Sequence, residues 1–198
     1  MSDKKNPSER PAGRTGRTPT KPKPMTWRNR AARLAWQFVY QGLFRPTPII
    51  GFDRWRCTLL RAFGAKVGKG VRVYPTSRIW APWNVELGDN STVGWDTELY
   101  SVGKIILEPN AEVAQYCFLS TGDHDIRTKD LPVGQAPIRI GSWAWVTSQV
   151  SIGPGVSVGE GAVVGMRSNV VKNVEPWTVV AGNPAKFIKK RVLDEDER

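Results

Sequence analysis

Histidine and cysteine are almost missing from this sequence, with one His and two Cys in 198 residues. Cys57 and Cys117 stand apart without C-x-x-C spacing. That excludes a zinc cage and a secreted disulfide framework, and it fits a reducing cytoplasm. Long apolar runs are missing too: no stretch approaches the ~18 uninterrupted apolar residues of a membrane span. The N-terminus carries positive charge but no apolar segment or small-residue cleavage site behind it. The expectation is a cytoplasmic protein, neither membrane-spanning nor exported by that route. Acidic residues are scarce at the front. Residues 1–33 hold ten Lys or Arg against Asp3 and Glu9, a net +8 of the formal +11, so the other 165 residues carry only +3.

What is present divides the chain. Residues 1–25 are rich in Pro, Gly, Thr, Lys and Arg, and cannot bury enough apolar surface to offset ordering entropy, so they read as a disordered basic tail. Residues 26–66 read as helical. Trp27, Ala31, Leu34 and Phe38 recur at helical spacing with Arg28, Arg30 and Arg33 mostly off that stripe, giving a short amphipathic helix ended by Gly42 and the Pro46, Pro48 pair. A second helix is expected over 53–63, closing at Gly64.

From Val67 a six-residue period takes over. Aliphatic residues fall at Val67, Val73 and Ile79, at Leu87, Val93 and Leu99, and at Leu107, Val113 and Leu119. They resume at Ile140, Val146, Ile152, Val158, Val164 and Val170. Glycine often follows, and the fourth residue after each is usually small or β-branched, as at Ser91, Ala111, Cys117, Ala144 and Ser168. An aliphatic pointing inward every sixth residue, a small residue in the corner and a glycine for the bend make a triangular coil of three short strands. Stacked coils bury one apolar column, so 67–183 reads as an all-β parallel β-helix. The register slips by two residues near Ile79 to Val85 and near Leu99 to Ile105. Between Leu119 and Ile140 the chain leaves the repeat for about fifteen residues, with the sole histidine at the root of the excursion. A long excursion from a rigid solenoid is more often functional than idle, which places an active-site loop at about 123–139. Residues 184–198 read as a C-terminal tail.

The segments ILEPNAEVAQYCFLSTGDHD, IRIGSWAWVTSQVSIGPGVSVGEGAVVGMRSNVVKNVEPWTVVAGNPAK and RAFGAKVGKGVRVYPTSRIWAPWNVELGDN resemble the hexapeptide-repeat acetyltransferases. That group includes galactoside and maltose O-acetyltransferases, and within it the likeness is to the colanic-acid-biosynthesis members, from about Arg54 to Arg191. The resemblance implies a left-handed winding, a homotrimer with active sites between neighbouring β-helices, acetyl-CoA as co-substrate and no metal. His124, in S-T-G-D-H-D, falls where the family places its catalytic histidine. Imidazole suits a general base near neutral pH. Asp123, Asp125 or a backbone carbonyl would hold its ring. The family's oxyanion donor, a backbone N–H beyond a tryptophan-bearing hexad, maps to Ser148, with Trp145 as either a cofactor contact or a packing residue. Coenzyme A contacts map to Met166, Val171, Lys172, Lys186 and Lys189, the lysines as phosphate partners. The acceptor side departs from the family: the substrate-binding Asn of galactoside and maltose enzymes is replaced by Gly94. Trp95, Asp96, Tyr100 and Asp125 are the candidate sugar contacts, through aromatic stacking and carboxylate hydrogen bonds.

The reading is therefore an O-acetyltransferase acting on a sugar hydroxyl, in exopolysaccharide or other surface-glycan synthesis. The acceptor is free, nucleotide-linked or lipid-linked. Residues 1–45 are expected to meet an anionic membrane on its inner face. Two alternatives stand beside it: a membrane-associated scaffold without catalysis, and an acetyltransferase for a small xenobiotic. A γ-type carbonic anhydrase needs three zinc-binding histidines and is excluded. A sugar-nucleotidyltransferase needs a Gly-rich phosphate loop in an N-terminal α/β domain, which residues 1–66 lack. No aromatic-interleaved basic motif supports nucleic-acid binding.

Overall fold

The computed structural model describes residues 26–126 and 129–194; the basic tail 1–25 lies outside the described residues, as do 127–128 of the excursion and 195–198. The repeat region is a solenoid whose strands stack into three parallel sheets, one per face. The first coil contributes β1 (Lys66–Val67), β2 (Arg72–Val73) and β3 (Arg78–Ile79). The second adds β4 (Val85–Leu87), β5 (Thr92–Val93) and β6 (Glu98–Tyr100), and the third β7 (Ile105–Leu107), β8 (Glu112–Val113) and β9 (Phe118–Ser120). After a hairpin of β10 (Gly122–His124) and β11 (Val133–Gln135), coiling resumes with β12 (Ile138–Ile140), β13 (Trp145–Val146) and β14 (Ser151–Ile152). The fifth coil holds β15 (Ser157–Val158), β16 (Val163–Val164) and β17 (Asn169–Val170). The last turn ends in β18 (Thr178–Gly182), against which β19 (Ala185–Lys190) folds back antiparallel within the segment expected as a tail.

Register measures the coils. Lys66 pairs with Glu86 and Glu86 with Ile106, twenty positions each, so the slips enlarge the early coils by two residues over three hexads. Ile106 pairs with Arg139, thirty-three on, whereas Arg139 pairs with Ser157, eighteen on. The difference of fifteen is the excursion. The periodic aliphatic residues form the core: Val93, Leu99, Val113, Leu119, Ile140, Val146 and Val164 are all fully buried. Each contributes about 1.5–3 kcal/mol by leaving water.

The glycines do a different job from the expected one. Left-handed backbone at the corners falls two residues later, at Asn90, Asn110 and Trp143 on one edge and Asp96, Tyr116, Gln149 and Arg167 on the next. Gly88 and Gly94 are needed instead for close approach. A Cβ at Gly88 would lie 2.5 Å from the Pro109 nitrogen, and one at Gly94 2.6 Å from the Gln115 nitrogen, in the backbone of the following coil.

Ahead of the solenoid lie α1 (Trp27–Val39) and α2 (Asp53–Ala62). A π-helical turn carries α1 through Gly42 to Phe44, short of the Pro46, Pro48 pair. The stripe of Trp27, Leu34 and Phe38 is not the packed face: these residues are 75%, 63% and 79% exposed. Trp36, Tyr40 and Phe44 are buried instead: Tyr40 stacks on Phe44, and Trp36 packs at an angle against both and against Phe63. The reason is the open end of the first coil, whose outward carbonyls have no further coil to pair with. Side-chain donors of the helices take them. Trp36 Nε1 donates to the Ile79 carbonyl at 2.7 Å, Tyr40 Oη to Thr76 at 3.3 Å, and Arg61 to Val67 and Gly68. The fully buried Arg56 donates to the Val73 carbonyl at 2.6 Å and pairs with Asp53 at 2.8 Å.

Candidate active site

The excursion folds into a short antiparallel ribbon in which His124 pairs with Val133. Its backbone N–H donates to Asp123 Oδ1 at 2.7 Å, and Asp125 N–H closes the ribbon on the Pro132 carbonyl at 2.9 Å. The imidazole is exposed, with Nδ1 2.6 Å from the Leu131 carbonyl. A carbonyl can only accept, so Nδ1 carries a proton and, in the neutral ring, Nε2 carries the lone pair. A backbone carbonyl, one of the three ring-holding groups expected, is therefore in contact with the ring. Leu131 has φ 42°, a left-handed conformation that costs a non-glycine residue roughly 1–2 kcal/mol.

Ser148 occupies the corner between the second and third faces. Its neighbours Thr147 and Gln149 donate backbone bonds to Val164 and Gln115, while its own N–H has no acceptor among the described residues. The same holds for Trp95, Gln115 and Met166, which stack on this edge through bonds such as Tyr116 N–H to Trp95 O and Arg167 N–H to Ser148 O, both 3.1 Å. A row of open N–H groups therefore runs down one edge of the prism. Trp145 lies on the adjoining second face, 45% exposed, paired with Glu112 and Val163.

These placements sort the expected site residues into two sets. Trp95, Asp96, Trp145, Ser148 and Met166 lie on or beside the second corner, and Lys186 and Lys189 on β19 at the end of the second face. His124 and Asp125 project from the third corner, where Val171 and Lys172 recur two coils later. Tyr100 belongs with this second set: its ring is the nearest neighbour of a Cβ built at Gly122, 3.2 Å away. The two corners bound the third face, and from Ser148 to Gly153 that face runs five residues, about 16 Å of extended chain. One chain does not bring His124 beside Ser148.

Trp80, which the period does not single out, tilts against Tyr100 with ring centroids 4.9 Å apart. The twenty-residue coil would have flagged it, because it places residue 80 over residue 100. Leu131 had no signal, since its contribution is main-chain. Burial pushes the thiols of Cys57 and Cys117 up, so neither is an activated nucleophile. Among the described residues no group of three or more His, Cys, Asp and Glu is placed to hold a metal ion. No described helix is long and apolar enough to cross a membrane.

No protein-family model matches the sequence. Among curated proteins, the Escherichia coli (strain K12) protein named as a colanic acid biosynthesis acetyltransferase, WcaF, is 40% identical over 160 residues, covering 81% of this chain and 87% of that one. Among solved structures, galactoside acetyltransferase in complex with coenzyme A aligns with TM-score 0.78 and 25% identity over 88% of each chain. A maltose O-acetyltransferase from Clostridium difficile 630 aligns with TM-score 0.73 and 29% identity, over 82% of this chain and 88% of that one. A relative so similar over most of both lengths, on a solenoid shared with acetyltransferases of known structure, makes this chain a member of the hexapeptide-repeat acetyltransferase family.

Proposed function

We propose that the protein transfers the acetyl group of acetyl-CoA to a sugar hydroxyl, with His124 as general base, in the building of a surface polysaccharide. The observation that carries the reading is the 2.6 Å contact of His124 Nδ1 with the Leu131 carbonyl, which leaves Nε2 as the proton acceptor. The named role of the Escherichia coli relative and the coenzyme A complex of galactoside acetyltransferase support the polysaccharide and the donor. The acceptor hydroxyl gives its proton to Nε2 as its oxygen attacks the thioester carbonyl. The oxyanion takes the open Ser148 N–H, the C–S bond breaks, and the imidazolium returns the proton to the departing sulfur. Pantetheine follows the open N–H edge past Met166. Phosphates meet Lys172, Lys186 and Lys189, with Val171 beside them.

Because the two sets of residues stand at opposite ends of one face, the reading requires a homotrimer in which the hairpin of one copy meets the second corner of the next. Trp95 and Asp96 then face the acceptor from one copy, Tyr100 and Asp125 from the other. We further infer that the outward stripe of α1 rests on the inner face of an anionic membrane, with vesicle binding as its readout.

The test is thiol release from acetyl-CoA with a panel of sugar acceptors, beside His124→Ala. A fall of ~10²–10⁴-fold in kcat with unchanged melting is expected. Full activity in the variant would refute the mechanism.

A further inference from the structure

Between α1 and the first two coils lies a cavity of about 720 Å³ on the same face as Tyr100. Among the described residues Arg30, Arg33, Arg45 and Arg78 line it, with Glu98 as the one acidic side chain. Arg30, Arg45 and Arg78 by themselves outnumber Glu98 three to one among the described lining residues. The Arg78 to Glu98 separation of 3.9 Å is too long to consume that charge in a tight pair. Guanidinium presents donors in a planar fork that matches phosphate oxygens. Its volume suits a ligand of nucleotide or disaccharide size.

The cavity does not stand alone. Arg33 lies over the Trp80 ring at 3.8 Å, Trp80 contacts Tyr100, and Tyr100 lies beside Gly122, two residues before His124. In a strand Gly122 and His124 share a side, ~7 Å apart. An aromatic track therefore leads from the arginines to the root of the catalytic hairpin, and aromatic faces suit sugar rings.

The geometry points to a diphosphate subsite for the acceptor: the arginine cavity holds the diphosphate of a nucleotide- or lipid-diphosphate-linked sugar, and the sugar moiety lies along Trp80 and Tyr100 toward His124. This rests on the acetyl-transfer reading and names its acceptor class. The donor's phosphates are assigned to Lys172, Lys186 and Lys189 in the last turns, at the opposite end of the solenoid, so the two phosphate sites are separate.

Inorganic pyrophosphate is the first probe, titrated calorimetrically into the full-length wild type and into the Arg45→Gln/Arg78→Gln variant. Both positions are exposed, and melting temperature controls for folding. Binding should weaken roughly ten- to a hundredfold in the variant, as expected for lost charge-assisted bonds. Arg45→Lys/Arg78→Lys should recover part of it. Pyrophosphate should also inhibit acetyl transfer competitively against the acceptor and not against acetyl-CoA. The acceptor arms compare a UDP-sugar with a polyprenyl-diphosphate sugar, and the one with the lower KM names the source. In the glutamine variant the KM for that acceptor should rise by the same factor. No pyrophosphate binding by wild type, equal binding by the variant, or competition with acetyl-CoA overturns the subsite. An active His124→Ala enzyme would instead overturn the underlying reaction and leave the pyrophosphate result standing.

Discussion

The two faces of α1 make opposite use of aromatic and aliphatic residues. On one face Trp36 and Tyr40 are buried against the first coil, with Phe44 beyond them in the π-helical turn. On the other, Trp27, Leu34 and Phe38 stand in solvent. Hydrophobicity alone ranks Leu34 and Phe38 at least as high as Tyr40. For Trp36 and Tyr40 what differs is the polar tip, and Phe44, which has none, is buried by packing on those two rings. The open edge of the first coil presents carbonyls, and only side chains that combine an apolar body with a donor both cover and satisfy it. A stripe without donors is left outside, and this is the face proposed to meet an anionic membrane. Leu43, Ile49, Ile50 and Trp55 of the following segment are exposed as well.

The largest effect should come from breaking the covered face. Trp36→Ala removes a buried indole that packs on Tyr40, Phe44 and Phe63 and leaves the Ile79 carbonyl without its donor. A loss of about 3–5 kcal/mol is expected from denaturant unfolding, cavity and unpaired carbonyl together. A loss below ~1 kcal/mol would mean that the helix does not hold the end of the solenoid.

The same contrast explains what was legible in the sequence. The coils were, because an inward aliphatic every sixth residue is dictated by local geometry and repeats until it is unmistakable. Leu99, Leu119 and Ile152 face the core wherever the count places them. The α1 stripe was legible as a period but not as a direction. Which face packs depends on the carbonyls of residues 67–79, a tertiary partner that no local window contains. Of the proposed site, His124 was singled out by its rarity and its place at the interruption. The Leu131 carbonyl and the open N–H groups at Ser148 and Met166 were not, because main-chain groups leave no residue signature. Gly94 was legible as a departure from the family; the structure adds the reason that no side chain fits there, the backbone of the next coil being 2.6 Å from its Cβ position.

Next in size is a change on the outward face. Trp27→Asp/Phe38→Asp should weaken binding to vesicles containing anionic lipid by at least ~100-fold, since two anchors each worth roughly 1.5 kcal/mol or more are replaced by charges that the bilayer repels. Unfolding stability should stay within ~0.5 kcal/mol, because both side chains are already in water. Vesicle binding at wild-type strength would remove the membrane role from this face, and a large stability loss would erase the contrast between the two faces.

The smallest effect tests whether the donor tip matters apart from the ring. Tyr40→Phe keeps the stack on Trp36 and Phe44 and deletes only the hydroxyl that donates to the Thr76 carbonyl at 3.3 Å. A loss of about 1 kcal/mol is expected, the net worth of one such bond. Its pH signature is more telling. Burial pushes the Tyr40 phenol up, outweighing the pull of Arg45 and Arg78 in the other direction. The folded state thus holds the phenol proton more tightly than the unfolded chain does. The resulting stability is fully present below the unfolded pKa of about 10 and is lost as pH rises from there through the raised folded value. Wild type should therefore lose stability on the alkaline side more steeply than Tyr40→Phe, and the two unfolding curves should converge as pH climbs above 10. Parallel curves would mean that the hydroxyl is not held in the buried cap, and that apolar packing alone chooses which face of α1 turns inward.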